Sequence, residues 1–272
     1  MPRSPAEQAR LHRFACEYQN SQSEVMLEIE RAVCGCGYGG TSWTTRHEAE
    51  QVGGLLRLNP GTRFLDIGAG AGWPGLYLGR ITGCDVTLVD VPLEGLRIAK
   101  ARAAAEQLAG ECWVIVADGT ALPLHSARFD AIGHSDVLCC LESKQSVLNE
   151  CRRVSRTGGR MAFTVISIAP SLSSTDYKFA LDAGPRFKET GVAYPKMLDL
   201  AGWKITHHLD LTAEYAQAAR RMLREEEARA EALTRLLGDA DFADMQRRRR
   251  NTVQALDRGL LRRELMAADA LG

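Results

Sequence analysis

The run Asp66-Ile67-Gly68-Ala69-Gly70-Ala71-Gly72 is the first place in this sequence with the makings of a chemical site. It follows a short apolar stretch and precedes a segment suited to a helix. Glycines let a backbone turn tightly and lie against a ligand, because no Cβ intervenes. A helix that starts there presents free N–H groups and a partial positive charge, which suit a carboxylate or a phosphate. Two more acids stand at matching places. Asp90, followed by Val91, ends the apolar run DVTLVD, where a carboxylate can accept from both hydroxyls of a ribose. Asp118, followed by Gly119, ends the run CWVIVAD, where it can accept from an adenine amino group. Three acids at successive strand ends outline a site for a nucleoside.

These residues need a scaffold, and the pattern supplies one. FLDIG, DVTLVD, CWVIVAD, FDAIGHS and RMAFTVIS read as five buried strands. Helices are expected at Pro74–Arg80, Leu93–Leu108 and Lys144–Val154, with a turn at Thr157-Gly158-Gly159. Strands alternating with helices imply a parallel sheet covered on both faces, and right-handed crossovers make it doubly wound. Ligands bind such sheets beyond the carboxyl ends of the strands. A sixth strand is expected over Trp203–Leu211 and a short last one over Gly259–Met266. Ala213–Leu237 and Phe242–Leu256 read as long helices, and 170–200 as an irregular insert. The fold class is therefore α/β: a Rossmann-like, mostly parallel sheet of seven strands, with a helical lid over residues 1–60, a core over 61–168, and an insert, C-terminal helices and final strands over 169–272.

In this order the motifs resemble those of the class I S-adenosylmethionine-dependent methyltransferases. FLDIGAGAG is similar to their glycine-rich signature, and LVD to their ribose-binding acid. VADGTALPLHSARFDAI is similar to their run from the adenine-binding acid to the fourth strand. ECRRVSRTGGRMAF is similar to their approach to the fifth, with Thr157 where a proline is usual. The resemblance spans residues 40–170 and implies S-adenosylmethionine as cofactor. It places Asp66 and Gly68 near the methionine end and Gly70 and Gly72 on the floor of the turn. Asp90 with Val91 falls at the ribose, Asp118 and Gly119 at the adenine, and His134 and Ser135 near the methyl group. Imidazole titrates near neutrality, so His134 is the candidate base, with Asp136 and Glu142 as alternatives. The SDVLCCLE region is similar to that of phosphoethanolamine methyltransferases, but Cys140 stands where they carry a histidine. Tyr18 could match their N-terminal tyrosine, which closes the site. The loop with Tyr38, Trp43, Thr44 and Thr45 could touch the methionine end, and Tyr177, Phe179, Phe187 and Tyr194 could shape substrate choice. The implied reaction is methyl transfer to an O, N or C nucleophile of a small molecule. Methylation of RNA or protein is a second reading.

A third reading is a dehydrogenase. Gly70-Ala71-Gly72-Trp73-Pro74-Gly75 is formally G-x-G-x-x-G, and Asp90 lies about where a ribose acid would. Against it, the first of these glycines comes late after the strand, and Asp66 would set a carboxylate beside a pyrophosphate.

Composition narrows the partners. The chain has 272 residues, with 34 Lys plus Arg against 34 Asp plus Glu, so its formal net charge is zero and no nucleic-acid partner is expected. No apolar run approaches a membrane span, and MPRSPAEQAR lacks the core of a signal peptide. A cytoplasmic protein with no membrane partner and eight reduced cysteines is expected. Cys34, Cys36, Cys139 and Cys140 have no histidines at zinc-site spacing, so no metal is expected. The arginines at 247–250 point around a helix and make no single basic face. The long C-terminal helices could pair with a second chain as a homodimer or simply cover the sheet.

Overall fold

Three helices precede the first strand in the computed structural model: α1 (Pro5–Ser21), α2 (Glu24–Cys34) and α3 (Arg46–Leu56). The structure describes residues 5–185, 187 and 191–272; residues 1–4 of the expected lid, and 186 and 188–190 of the expected insert, lie outside the described residues. The Gly-rich stretch after α2 is a loop, as its composition predicts, and it is pinned from within. The buried Glu30 carboxylate accepts from the Gly39 and Gly40 amides at 2.7 and 3.1 Å. A capping box between Thr45 and Glu48 then starts α3.

From there strands and helices alternate, except that β4 follows β3 with no helix between: β1 (Arg63–Ile67), α4 (Gly75–Thr82), β2 (Asp85–Asp90), α5 (Leu93–Glu106), β3 (Cys112–Val116), β4 (Phe129–Ser135), α6 (Lys144–Val154) and β5 (Ser155–Ile168). After β5 come α7 (Ser174–Ala183), α8 (Tyr194–Leu200), β6 (Trp203–Asp210), α9 (Thr212–Ala228), α10 (Ala230–Leu237), α11 (Asp239–Asp257) and β7 (Leu261–Ala270). One seven-stranded sheet results, in the order β3-β2-β1-β4-β5-β7-β6. β1 to β5 run parallel, and β7 lies antiparallel between β5 and β6. The expected Rossmann-like, mostly parallel sheet is thus the observed one. Its order reverses between β1 and β4, where a ligand crevice opens in folds of this type.

Apolar side chains bury both faces. Leu76 and Leu78 of α4 join Val52 and Leu56 of α3 on one side, while Val147 and Leu148 of α6 meet Leu198 of α8 on the other. Among the described residues no helix is long and apolar enough to cross a membrane.

Four segments differ from the sequence expectation. The helix expected over Ala213–Leu237 breaks at Arg229, whose φ is −114°. The break turns Leu233 into the cluster formed by Ile29 and Val33 of α2, while the Arg229 guanidinium pairs with Glu225 and Glu28. The insert expected to be irregular holds α7 and α8. Its Ser and Pro residues start helices: the Ser173 hydroxyl accepts from the Asp176 amide, and Pro195 sits in the first turn of α8. The turn expected at Thr157-Gly158-Gly159 is taken into β5 as an irregularity, with Gly158 at a φ of 70°. The last strand runs ten residues, not the expected eight, because small residues in its MAADA stretch pack between two neighbouring strands.

Candidate functional site

The glycine-rich turn leaves β1 and is tied at once to β2. The amides of Gly68 and Ala69 both donate to the Val89 carbonyl, at 2.8 and 3.2 Å. The turn needs left-handed backbone: Gly68, Gly70 and Gly72 have φ of 74°, 49° and 98°. It also needs the missing side chains. A Cβ on Gly68 would lie 2.4 Å from Val137, in the loop after β4, and one on Gly70 would lie 2.6 Å from the Tyr18 hydroxyl. Gly95, which the sequence reading passed over, has the same job on α5, where a Cβ would come within 2.9 Å of the Gly70 backbone.

Asp90 closes the turn from the end of β2. One carboxylate oxygen accepts from the Gly70 amide at 2.8 Å, and the other from the Val91 amide at 2.7 Å. Burial pushes its pKa up to about 6, although both amides pull the other way. Asp66 is buried beneath the turn and accepts from the Gly75 amide at 3.1 Å. Burial raises its pKa well above the carboxylate range, the Gly75 amide opposes this, and the Asp90 charge adds to the rise. An acid at the N-terminus of α4 fills the place a pyrophosphate would need, which removes support from the dinucleotide reading. Asp118 stands at the exposed edge, where one oxygen accepts from the amide and hydroxyl of Thr120, both at 2.8 Å. Gly119 packs on Ile67: a Cβ there would lie 3.3 Å from the Ile67 side chain, a tight approach. Tyr18 of α1 is buried over Gly70 and Gly95, so α1 does lie across the turn. Its phenol is raised by burial and then by Asp90.

The structure thus brings together Tyr18, Asp66, the three glycines, Asp90 and Val91, with Asp118 and Gly119 at the rim. The residues after β4 fare differently. Ser135 remains in the ladder, paired with Thr164 of β5. His134 lies on the α6–α8 face, fully buried, with its ring stacked on Phe163 at 4.5 Å between centroids. Burial lowers its pKa to about 3, and neither ring nitrogen has a hydrogen-bond partner among the described residues. Titration near neutrality, the ground for choosing it as base, is therefore lost. Asp136 adopts a φ of 55°, and both its carboxylate oxygens accept from the Arg263 Nε, at 3.1 and 3.3 Å.

Arg263 is the residue that sequence reasoning missed. It is fully buried on β7 and pairs with Asp136 at 3.1 Å and with Glu48 of α3 at 2.8 Å. It also donates to the Thr44 hydroxyl at 3.1 Å, while the Thr44 carbonyl accepts from the Trp73 indole at 2.8 Å. Burial alone would lower its pKa; Asp136 and Glu48 outweigh this and raise it. Thr44, expected near the methionine end, is thus locked into a network joining the loop before α3, the glycine-rich turn, β4 and β7. A signal was present. In LLRREL, Leu261, Arg263 and Leu265 share one parity, and a cation among inward residues calls for buried partners.

Residues 65–163 match the family model described as a methyltransferase domain. A methyltransferase of Streptomyces halstedii, GfsG, is 28% identical over 169 residues, covering 61% of this chain and 61% of its own length. The glycine/sarcosine/dimethylglycine N-methyltransferase of Actinopolyspora halophila is 27% identical over 253 residues, covering 90% of this chain and 40% of that one. The chain therefore spans about two fifths to three fifths of these relatives. Phosphoethanolamine N-methyltransferase 2 of Haemonchus contortus, solved with phosphomonomethylethanolamine and S-adenosylhomocysteine, superposes with a TM-score of 0.77 at 15% identity, over 95% of this chain and 60% of that one. At that identity the likeness shows the fold. The family match is the more specific finding, because it runs from within β1 into β5 and takes in the whole glycine-rich turn and all three strand-end acids: over these residues the chain is similar to a methyltransferase domain.

Proposed function

We propose that the crevice between β1 and β4 holds S-adenosylmethionine, and that the chain transfers a methyl group to an oxygen, nitrogen or carbon nucleophile of a small molecule. The observation that carries this reading is Asp90, held by the amides of Gly70 and Val91 at the lip of a turn with no room for a Cβ. That carboxylate is placed to trade one of its amide bonds for ribose hydroxyls. The other residues fit the same ligand. Asp66 and Gly68 would face its methionine end, Gly70 and Gly72 its underside, and Asp118 and Gly119 its adenine, with Tyr18 above.

When bound, S-adenosylmethionine supplies a methyl group already activated on a sulfonium centre. What remains for the protein is placement, and alignment alone can supply a large share of the rate. The loop 136–137 is set for this: Val137 packs on Gly68, and Arg263 fixes Asp136. His134 stays the candidate base from the sequence, but a buried imidazole with a pKa of about 3 removes protons poorly. Asp136 is committed to Arg263. The favoured mechanism is therefore alignment without a general base, and His134→Ala should leave cofactor affinity nearly unchanged.

Calorimetric titration with S-adenosylhomocysteine, NAD and NADP tests the proposal. Binding of S-adenosylhomocysteine alone, at about micromolar affinity, is expected. Binding of a nicotinamide dinucleotide alone, or of none of the three, overturns it.

A further inference from the structure

A cavity of about 380 Å³ lies between α8 and the face of β5, β7 and β6 turned away from Arg263. Alternation along β7 builds its floor: Arg262, Glu264 and Met266 point to this face, and Leu261, Arg263 and Leu265 to the other. The two adjacent arginines therefore have separate surroundings. Arg263 is enclosed by carboxylates, whereas Arg262 is exposed and lines the cavity.

The charges in the cavity are unevenly matched. Glu264 is taken on both oxygens, by His208 at 2.6 Å and by the Ser167 hydroxyl at 3.4 Å. The Lys144 ammonium donates to the Leu138 and Leu141 carbonyls at 2.6 and 2.7 Å. Asp210, the acid that feels Arg262, lies beyond ion-pair distance and already accepts from the Thr212 amide at 2.9 Å. Arg262 itself has no ion pair or hydrogen bond among the described residues. The remaining walls are largely apolar, with Ile168, Val192 and Met266 among them. At the inner end stands Cys139, whose thiol donates to the Asp136 carbonyl at 3.0 Å. The cavity thus begins at the loop that packs on the glycine-rich turn.

We infer that this cavity is the acceptor site and that it takes a molecule with an apolar body and one anionic group, a carboxylate or a phosphate, held by Arg262. The word acceptor rests on the methyltransferase reading; the ligand class rests on the cavity. A guanidinium that has no counter-ion among the described residues and stands at the edge of an apolar space favours an anion, and its planar fork suits either group.

Dansyl-undecanoic acid and its methyl ester share a body and differ in charge, so their fluorescence titrations isolate the role of Arg262. The native chain should bind the acid about fivefold more tightly than the ester, the scale of a charge-assisted bond at a half-open site. Arg262→Ala should equalise the two, and Val192→Trp should weaken both by crowding the cavity. Displacement of the probe by decanoate or by decyl phosphate would tell which anion is preferred. Equal binding of acid and ester by the native chain overturns the inference. So does a preference that survives Arg262→Ala, a Val192→Trp variant that binds as before, or a probe that neither competitor displaces. Calorimetry with S-adenosylhomocysteine on the same samples reports separately on the methyltransferase reading.

Discussion

For single residues, burial sets the chemistry more than residue type does. Asp90 shows it most plainly: its pKa is pushed up to about 6, so it is part-protonated just below neutrality. Ribose hydroxyls are bonded better by a carboxylate than by a carboxylic acid. Affinity for S-adenosylhomocysteine should therefore climb as pH rises from 5 to 7.5 and then level off, by calorimetry in buffers of matched ionic strength. Asp90→Asn should weaken binding by roughly 1.5–3 kcal/mol and flatten that rise. A native profile already flat would remove Asp90 from the ribose. Backbone supplies a second expectation. Gly68→Ala puts a Cβ 2.4 Å from Val137 at a φ of 74° and should lower stability by about 1–3 kcal/mol, read from urea unfolding. The positions of these residues were legible in the sequence, because a turn without room for Cβ atoms demands glycine there. Their protonation was not. The choice of His134 as base assumed an ordinary imidazole, and nothing local in FDAIGHS says that α6, α8 and Phe163 will bury it.

Among the elements, β7 does the most that the sequence concealed. The central strands are contiguous apolar runs, most with helices between, so a parallel, doubly wound sheet was legible from their alternation. β7 comes from the far end of the chain and enters the sheet between β5 and β6, a placement no local pattern announces. It carries Arg263 to Glu48 of α3 and to Asp136 after β4, and so links three distant segments around the crevice. A buried cation between two carboxylates is worth little in total, but breaking it leaves uncompensated charge. Arg263→Met should cost about 3–5 kcal/mol in urea unfolding, and adding Glu48→Gln and Asp136→Asn should recover much of it. If the single variant were as stable as the native chain, the network would have no structural weight. If the triple variant recovered stability but bound S-adenosylhomocysteine as before, Asp136 would be holding the fold and not the ligand. The acceptor half was the less legible for the same reason: α8, β6 and β7 meet only in three dimensions.

For the molecule as a whole, these buried groups pull the pH dependence of stability in opposite directions. A group with a raised pKa stabilises the fold below its unfolded value, and that stability is lost as pH rises through the folded one. Asp90 is of this kind, between 3.8 and about 6, and Asp66 shares its sign. His134 is the reverse, with a pKa that falls from 6.5 to about 3. Below pH 6.5 the unfolded chain takes up a proton that the folded chain refuses, so stability drops as the solution is acidified. Between pH 4 and 6 the native chain should therefore show a shallower slope than the two acids alone would give. Removing the imidazole exposes the balance. His134→Phe keeps an aromatic ring against Phe163 and deletes the titration. Relative to this variant, the native protein should lose about 1.4 kcal/mol for each pH unit below 6.5. Urea midpoints at pH 7, 6 and 5 measure that difference directly. A difference that stayed constant across the three would mean that the folded protein can protonate His134. The imidazole would then be open to water or to an acid, and the case against it as a base would fall with the burial that supports it.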